Sequence, residues 1–228
     1  MASGGAAPAE PPAPHPPRTV EVAPQDWWRV HPFDGASGRY ASTAFNDNAK
    51  ADARFSPLLP GTSTGALVSS TIVSSIYAAA TLEGALMESV LHDAPFPSAG
   101  YQHNFKRDRA GRHHVSRIRN ARPLRLVDLT SLGLSAMGLK PSDLFENNKP
   151  DYPRTRRWAA WLREVCPDAQ GFVWMSRRNN QSAAIVLFED HVAAGVLAEQ
   201  VGPMHVSAFE ATTLTLLERL GGSAAPDI

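Results

Sequence analysis

Runs with the two-residue period of a β-strand recur along this chain, and the helical patterns between them keep no strict strand–helix–strand rhythm. Trp27-Trp28-Arg29-Val30-His31-Pro32-Phe33 is aromatic and β-branched enough for a first strand. His114–Arg119 and Leu124–Leu129 alternate or run apolar as strands do. Gly171–Met175 and Ala184–Phe188 flank the polar Ser176-Arg177-Arg178-Asn179-Asn180 and read as a hairpin. Strands and helices that follow one another without a strict βαβ rhythm argue against an all-parallel sheet. The pattern therefore predicts an α+β fold of mixed, mostly antiparallel sheets with flanking helices.

The stretch from Ile76 to His92 predicts a short strand running directly into a helix, with Thr81 as the N-cap. Leu82, Leu86 and Val90 share one face of that helix. Glu88 lies on another face, nearly in line with Thr81, Gly84 and His92. Arg154–Val165 is the clearest helix, with Trp158, Trp161, Leu162 and Val165 at i, i+3, i+4, i+7 spacing and Pro167 as a stop. Leu132–Leu139 predicts a short turn or helix, Pro141–Phe145 a turn, Pro95–Gly111 a loop and Val192–Gln200 a short extra helix. Ser207-x-x-Glu210 has the form of a capping box, followed by a helix with Phe209, Thr213, Leu216, Leu217 and Leu220 inside, ended by Gly221-Gly222.

With 228 residues the chain suits one domain and a tail. Residues 1–24 hold six prolines between Pro8 and Pro17 and little to bury, which predicts a disordered Pro/Ala-rich tail. The single domain is expected over 25–222, with a flexible C-terminus at 223–228. Within it, Asp34–Leu59 is a long polar connection, and such connections usually carry function. Formal net charge is zero, so no global field draws the protein to nucleic acid or membrane. No apolar run approaches the roughly 20 residues of a membrane span, and the N-terminus has no export-signal pattern. The single cysteine, Cys166, excludes an intrachain disulfide and a zinc site built from several cysteines, and reads as a small buried residue. A reducing cytoplasm is the expected compartment.

Phosphate-binding glycine loops, the Gly-x-Ser-x-Gly elbow and His-Glu-x-x-His are all absent. His103, His113 and His114 read as solvated loop histidines without carboxylates at ligand spacing, so no metal site is expected. Lys106, Arg107, Arg109, Arg112, Arg117, Arg119, Arg122 and Arg125 form a basic segment, which suggests phosphate tracking in a noncatalytic RNA- or nucleotide-binding module. The other chemistry-bearing residues stand singly near strand ends: Arg29, Arg54, Tyr77, Glu88 and Ser176. Together they suggest a cleft with two guanidiniums for a diphosphate, a ring for stacking and a carboxylate for a developing cation.

The order of these motifs resembles the RES-domain family, the toxins of certain bacterial toxin–antitoxin pairs. Trp28-Arg29-Val30 is similar to its opening aromatic-Arg strand, and Ala53-Arg54-Phe55-Ser56-Pro57 to its Gly-Arg-Trp/Phe-Asn/Ser-Pro motif. Ile76-Tyr77-Ala78-Ala79 and Ala85-Leu86-Met87-Glu88-Ser89-Val90 resemble its Tyr-Leu-Ala and Ala-x-x-Glu-Val. Gly171–Arg177 looks like its Gly-x-x-x-Pro-Ser-x-Arg segment. This sequence departs from the pattern in having Ala51-Asp52-Ala53 in place of glycines, and Met175 in place of the proline. Gly38-Arg39-Tyr40 makes Arg39 a competing second arginine.

The resemblance implies a fold related to ADP-ribosyltransferases and NAD+ as substrate, with no further cofactor. It implies Arg54, Glu88 and Ser176 as catalytic residues, and Arg29 and Tyr77 as substrate-binding ones. Acceptors compatible with it are water, inorganic phosphate as co-substrate, or a protein side chain. The implied partners are an Xre-type antitoxin and, as an option, a second copy of the chain in a homodimer. Nucleic acid would be reached only through the antitoxin.

Overall fold

A computed structural model of the chain describes residues 9–37, 40–50, 52–58, 72–95, 98–145 and 149–226. Arg39 therefore lies outside the described residues, as do residues 59–71. Ten strands are described: β1 (Thr19–Val22), β2 (Asp26–Pro32), β3 (Ser75–Ala79), β4 (Gln102–His103), β5 (His113–Asn120), β6 (Leu124–Asp128), β7 (Gly171–Met175), β8 (Ala183–Phe188), β9 (Leu197–His205) and β10 (Ser223–Ala224). Six α-helices accompany them: α1 (Leu82–Glu88), α2 (Phe105–Ala110), α3 (Ser131–Ala136), α4 (Pro141–Leu144), α5 (Tyr152–Val165) and α6 (Glu210–Arg219).

Eight strands form one sheet in the order β1-β6-β7-β8-β3-β2-β5-β9. Every neighbouring pair is antiparallel except β6 and β7. The α+β expectation holds, and so does the β7–β8 hairpin, in which Gly171 faces Leu187 and Met175 faces Ala183.

The alternation of the pleat divides the core. Trp27, Ile76, Ala78, Ile118, Leu126 and Ile185 point to one face and form a single cluster, joined by Val20 and Val22 of one edge strand and Leu197 of the other. Residues from both edges meet because the sheet curls. The opposite face carries two separate clusters. One packs Phe55, Phe145, Trp158, Phe172, Trp174 and Phe188 beneath α3, α4 and α5. The other packs Leu86, Leu91, Val115, Leu216 and Leu217 beneath α1 and α6. The gap between these two clusters is the open part of the sheet.

Helix α1 forms where the sequence places it. Thr81 is extended and accepts a hydrogen bond from the Gly84 amide at 3.0 Å, which satisfies one of the orphan donors of the first turn. Gly84 packs so closely on Ser182 that a Cβ there would lie 2.2 Å from its hydroxyl. Helix α5 buries Trp158 and Leu162 of its predicted stripe, while Trp161 is half-buried and Val165, in the last turn, is exposed. Cys166 follows it half-buried, with burial pushing its thiol up, as suits a packing role.

Several expectations need correction. The N-terminal segment is not outside the fold beyond Pro8. Ala9 accepts from the Trp158 indole at 3.0 Å, Glu10 takes the Arg157 guanidinium in a fork, and Thr19–Val22 pairs with β6. The proline run works as an extended strap, with Ala9 and Ala13 against the Trp158 cluster. At the other end Ser223–Ala224 pairs with β4 instead of fraying. Val192–Gln200 is no helix: Gly195 turns the chain at positive φ, and Leu197–His205 pairs with β5 as an edge strand. Its Leu, Ala, Glu and Gln are good helix formers, and tertiary pairing overrides that preference. Pro95–Gly111 contains α2, capped by Asn104. Ser207 bonds the His205 ring at 2.8 Å and does not cap α6, which begins at Glu210 without a side-chain cap.

Gly171 at the start of β7 has no room for a side chain, since a Cβ would sit 1.9 Å from the Val186 carbonyl oxygen. Gly171→Ala is expected to destabilise the fold by about 1–3 kcal/mol. Urea unfolding followed by circular dichroism should show a lower midpoint at similar slope, and an unmoved midpoint would contradict this packing.

A candidate active-site cleft between two apolar clusters

Within the gap lies a cleft of two adjoining lobes, about 680 Å³ and 500 Å³. Both fall in the range of small-molecule sites. Its floor is the sheet, through Trp28 and Val30 of β2, Tyr77 of β3 and Trp174 of β7. Arg54, Glu88, His92, Asp93, Lys149 and Tyr152 line both lobes.

Arg54 reaches the cleft from an irregular segment, so its placement depends on tethers. Its carbonyl accepts from the Thr155 hydroxyl at 2.5 Å, and the preceding Ala53 carbonyl accepts from Arg156 at 3.2 Å; both donors are on α5. Phe55 is fully buried against Phe145, Phe172 and Trp174. The guanidinium donates to the Leu144 carbonyl at 2.7 Å and lies over the rings of Phe145 and Tyr152. Burial lowers its pKa, while Tyr152 and Glu88 act in the other direction.

Tyr77 points from β3 toward the same segment. Its hydroxyl accepts the Phe55 amide at 3.1 Å and shares a hydrogen bond with Ser56 at 3.2 Å. Burial pushes its pKa up to about 12. Tyr77 thus joins the sheet to the Arg54 segment as well as lining the cleft.

Glu88 is the last residue of α1 and half-buried. Its carboxylate makes no hydrogen bond among the described residues, yet its charge is felt by both Arg54 and Arg178. Beyond it, His92 bonds the Tyr152 hydroxyl at 3.1 Å and Asp93 at 3.0 Å, and Lys149 bonds the other Asp93 oxygen at 3.0 Å. This chain ties the end of α1 to the start of α5.

Two expected site residues do not reach the cleft. Arg29 follows Trp28 on β2 and so points to the other face. It is buried there, donating to the Ser42 and Ala44 carbonyls at 2.7 and 2.8 Å, and burial pulls its pKa down to about 9. Ser176 is buried in the β7–β8 turn, where its hydroxyl accepts the Asn179 amide at 3.2 Å. The structure therefore brings Arg54, Tyr77 and Glu88 together and leaves Arg29 and Ser176 behind the walls. The turn that holds Ser176 instead presents Arg177 and Arg178 to the second lobe.

His92, Lys149, Tyr152, Trp174, Arg177 and Arg178 line the cleft without having been singled out as site residues. His92 carried a signal in falling in line with Glu88 at helical spacing, and the arginines after Ser176 carried one in the Ser-x-Arg form of their motif. The basic segment is divided: Arg107 and Arg112 border the first lobe of the cleft, and others are paired. Arg109 pairs with Glu210, and Arg117 and Arg119 with Asp26. His103 is buried and bonded to Asp108, not solvated. Among the described residues no group of three or more His, Cys, Asp or Glu is arranged to hold a metal, and no helix is long and apolar enough to cross a membrane.

The RES domain family model matches residues 26–208. The chain belongs to the RES-domain family. No curated protein matches the sequence. Among solved structures, the domain is similar to a chain of the M. tuberculosis MbcT–MbcA toxin–antitoxin complex, with a TM-score of 0.53 at 14% identity, covering 85% of this chain and 90% of that one. At that identity the likeness is one of fold, and the strap at residues 9–22 lies outside the matched RES segment.

The Tyr77 tether is measurable through its titration. A tyrosine whose folded pKa is raised holds its proton more tightly when folded. Its stabilisation is complete below about pH 10, the unfolded value, and is lost as pH rises through about 12. Tyr77→Phe is expected to cost about 1–2 kcal/mol at neutral pH, through the unpaired Phe55 amide. It should also flatten the loss of stability between pH 10 and 12. Chemical denaturation across that range checks both effects, and identical alkaline slopes in the two proteins would contradict the tether.

Proposed function

We propose that this RES domain is an NAD+-consuming toxin that cleaves the nicotinamide–ribose bond in the cytoplasm and is neutralised by an Xre-type antitoxin. The observation that carries the reading is the convergence of Arg54, Tyr77 and Glu88 on one cleft, from three segments separate in sequence. The antitoxin is suggested by the complex in which the structurally similar MbcT chain occurs.

The chemistry suits the side chains. Nicotinamide in NAD+ is already cationic, so the C1′–N bond breaks with its electron pair going to the ring nitrogen, and the leaving group departs neutral without a general acid. Positive charge develops on the ribose, as in glycoside cleavage. Glu88 is the carboxylate placed to stabilise it and to accept from ribose hydroxyls. Arg54, desolvated and fixed on the Leu144 carbonyl, offers a charge-assisted hydrogen bond to phosphate. Tyr77 and Trp174 offer aromatic surface for the nicotinamide–ribose end. The acceptor then bonds to C1′: water loses a proton in doing so, whereas hydrogen phosphate dianion attacks through an unprotonated oxygen and keeps its own. Ser176 acts in this scheme through the turn that it holds, and Arg29 by anchoring the 42–44 backbone.

Purified protein incubated with NAD+ should release nicotinamide. Chromatography should show ADP-ribose if water is the acceptor, and its 1″-phosphate when inorganic phosphate is added and used. Glu88→Gln, shown folded by circular dichroism, is expected to lose about 10²–10³ in turnover. Absence of NAD+ loss by folded wild type would overturn the reading, and equal turnover by Glu88→Gln would remove that residue from the mechanism.

A further inference from the structure

With Arg29 on the far side of the sheet, the two-arginine clamp expected from the sequence cannot form, and other cations face the cleft. Arg107 and Arg112 border the first lobe, and the two arginines of the β7–β8 turn enter the second. Arg54, Lys149, Arg177 and Arg178 line it, against Glu88 and Asp93. Asp93 is committed to Lys149 and His92. Three guanidiniums are then left to one carboxylate.

Their mutual repulsion is apparent. The charge of Arg177 acts against protonation of both Arg54 and Arg178, and only Glu88 acts in the opposite sense on both. Arg178 is anchored by donating to the His92 carbonyl at 2.8 Å, at the end of the α1 segment, while its Nη1 is buried without a hydrogen-bond partner among the described residues. A fixed guanidinium with an unused donor, held beside two like charges, is unfavourable for the empty protein and becomes favourable when an oxyanion enters.

We propose that this lobe is an oxyanion subsite in which Arg177 and Arg178, together with Arg54, hold a phosphoryl group. The group is either part of the substrate's diphosphate or free inorganic phosphate. Only that last choice rests on the NAD+ reading; oxyanion binding does not.

Isothermal titration with sodium pyrophosphate and with inorganic phosphate tests the site directly. Wild type is expected to bind pyrophosphate. Arg178→Gln and Arg177→Gln should each weaken binding at least tenfold, and Arg122→Gln, at a basic residue outside the cleft lining, should not. Arg177 is exposed and has no anchoring bond in the described structure, so its variant keeps the test decisive should Arg178→Gln unfold. No binding of either probe by wild type, or wild-type affinity in Arg177→Gln and folded Arg178→Gln, overturns the proposal. Loss of affinity in Arg122→Gln alone would place the site on the basic segment and also overturn it.

Kinetics identify the source of the phosphoryl group. A tenfold higher KM for NAD+ in Arg177→Gln assigns the lobe to the diphosphate. An unchanged KM with loss of the phosphate-dependent product assigns it to free phosphate. If wild type turns over no NAD+, the titrations still report on the subsite, so the two ideas fail separately.

Discussion

The pleat of β2 and β3 is the constraint on which the rest depends. Neighbouring residues in a strand must face opposite ways. On β2 this sends Trp27, Arg29 and His31 to one side and Trp28 and Val30 to the other. On β3 it sends Ile76 and Ala78 to the first side and Tyr77 to the second. The first side closes into a core because the sheet curls and both edges contribute to it. The second side cannot close, because its two apolar clusters gather under different helices. The cleft is the sheet surface left between them.

A floor of aromatic and aliphatic side chains supplies shape but little chemistry. The charges come from segments that the sheet does not order by itself, and each is fixed by a specific bond. The Arg54 segment hangs on Tyr77, Thr155 and Leu144. The end of α1 is tied to α5 through His92 and Tyr152, and to the β7–β8 turn through Arg178. The strap of residues 9–22 reinforces the same wall from behind. Arg154 on α5 donates to the Asp143 and Ala9 carbonyls, one residue from the Leu144 carbonyl that holds Arg54. A preorganised site needs such a supporting layer, since polar groups aimed at a ligand gain most when they need not reorganise to meet it.

What the sequence made legible follows the same division. Patterns with a local physical cause were readable: the Thr81 cap, the spacing of Trp158 and Leu162, the hairpin around Ser176, and Glu88 on the helix face away from Leu82 and Leu86. Facing was harder. Arg29 belongs to a recognisable motif, yet only the register of β2 against β3 and β5 decides which side it takes. Leu197–His205 carries helix-forming residues and becomes a strand because β5 offers an unpaired edge. The strap has a composition that cannot fold alone, and it is ordered by the Ala9 carbonyl meeting two donors of α5 about 150 residues away in sequence. Tyr152 and Lys149 joined the cleft for the same reason. Their partners are distant in sequence, and no local spacing announces them.

Glu88 shows how the site trades stability for readiness. It ends a seven-residue helix, at the terminus where the exposed carbonyls carry partial negative charge. A carboxylate there is disfavoured by the helix itself, and a lysine or glutamine would suit the position better on stability alone. Its compensation is the attraction of Arg54 and Arg178. Those two are in turn held by backbone carbonyls, not by a carboxylate that would neutralise them. The cations are thus fixed without being quenched, and the anion is left without a hydrogen-bond partner among the described residues. Such an arrangement stores unfavourable like-charge and desolvation terms that the strands and clusters around it must offset. On the proposed reading, such a cleft suits a ligand carrying both negative charge and a centre of developing positive charge.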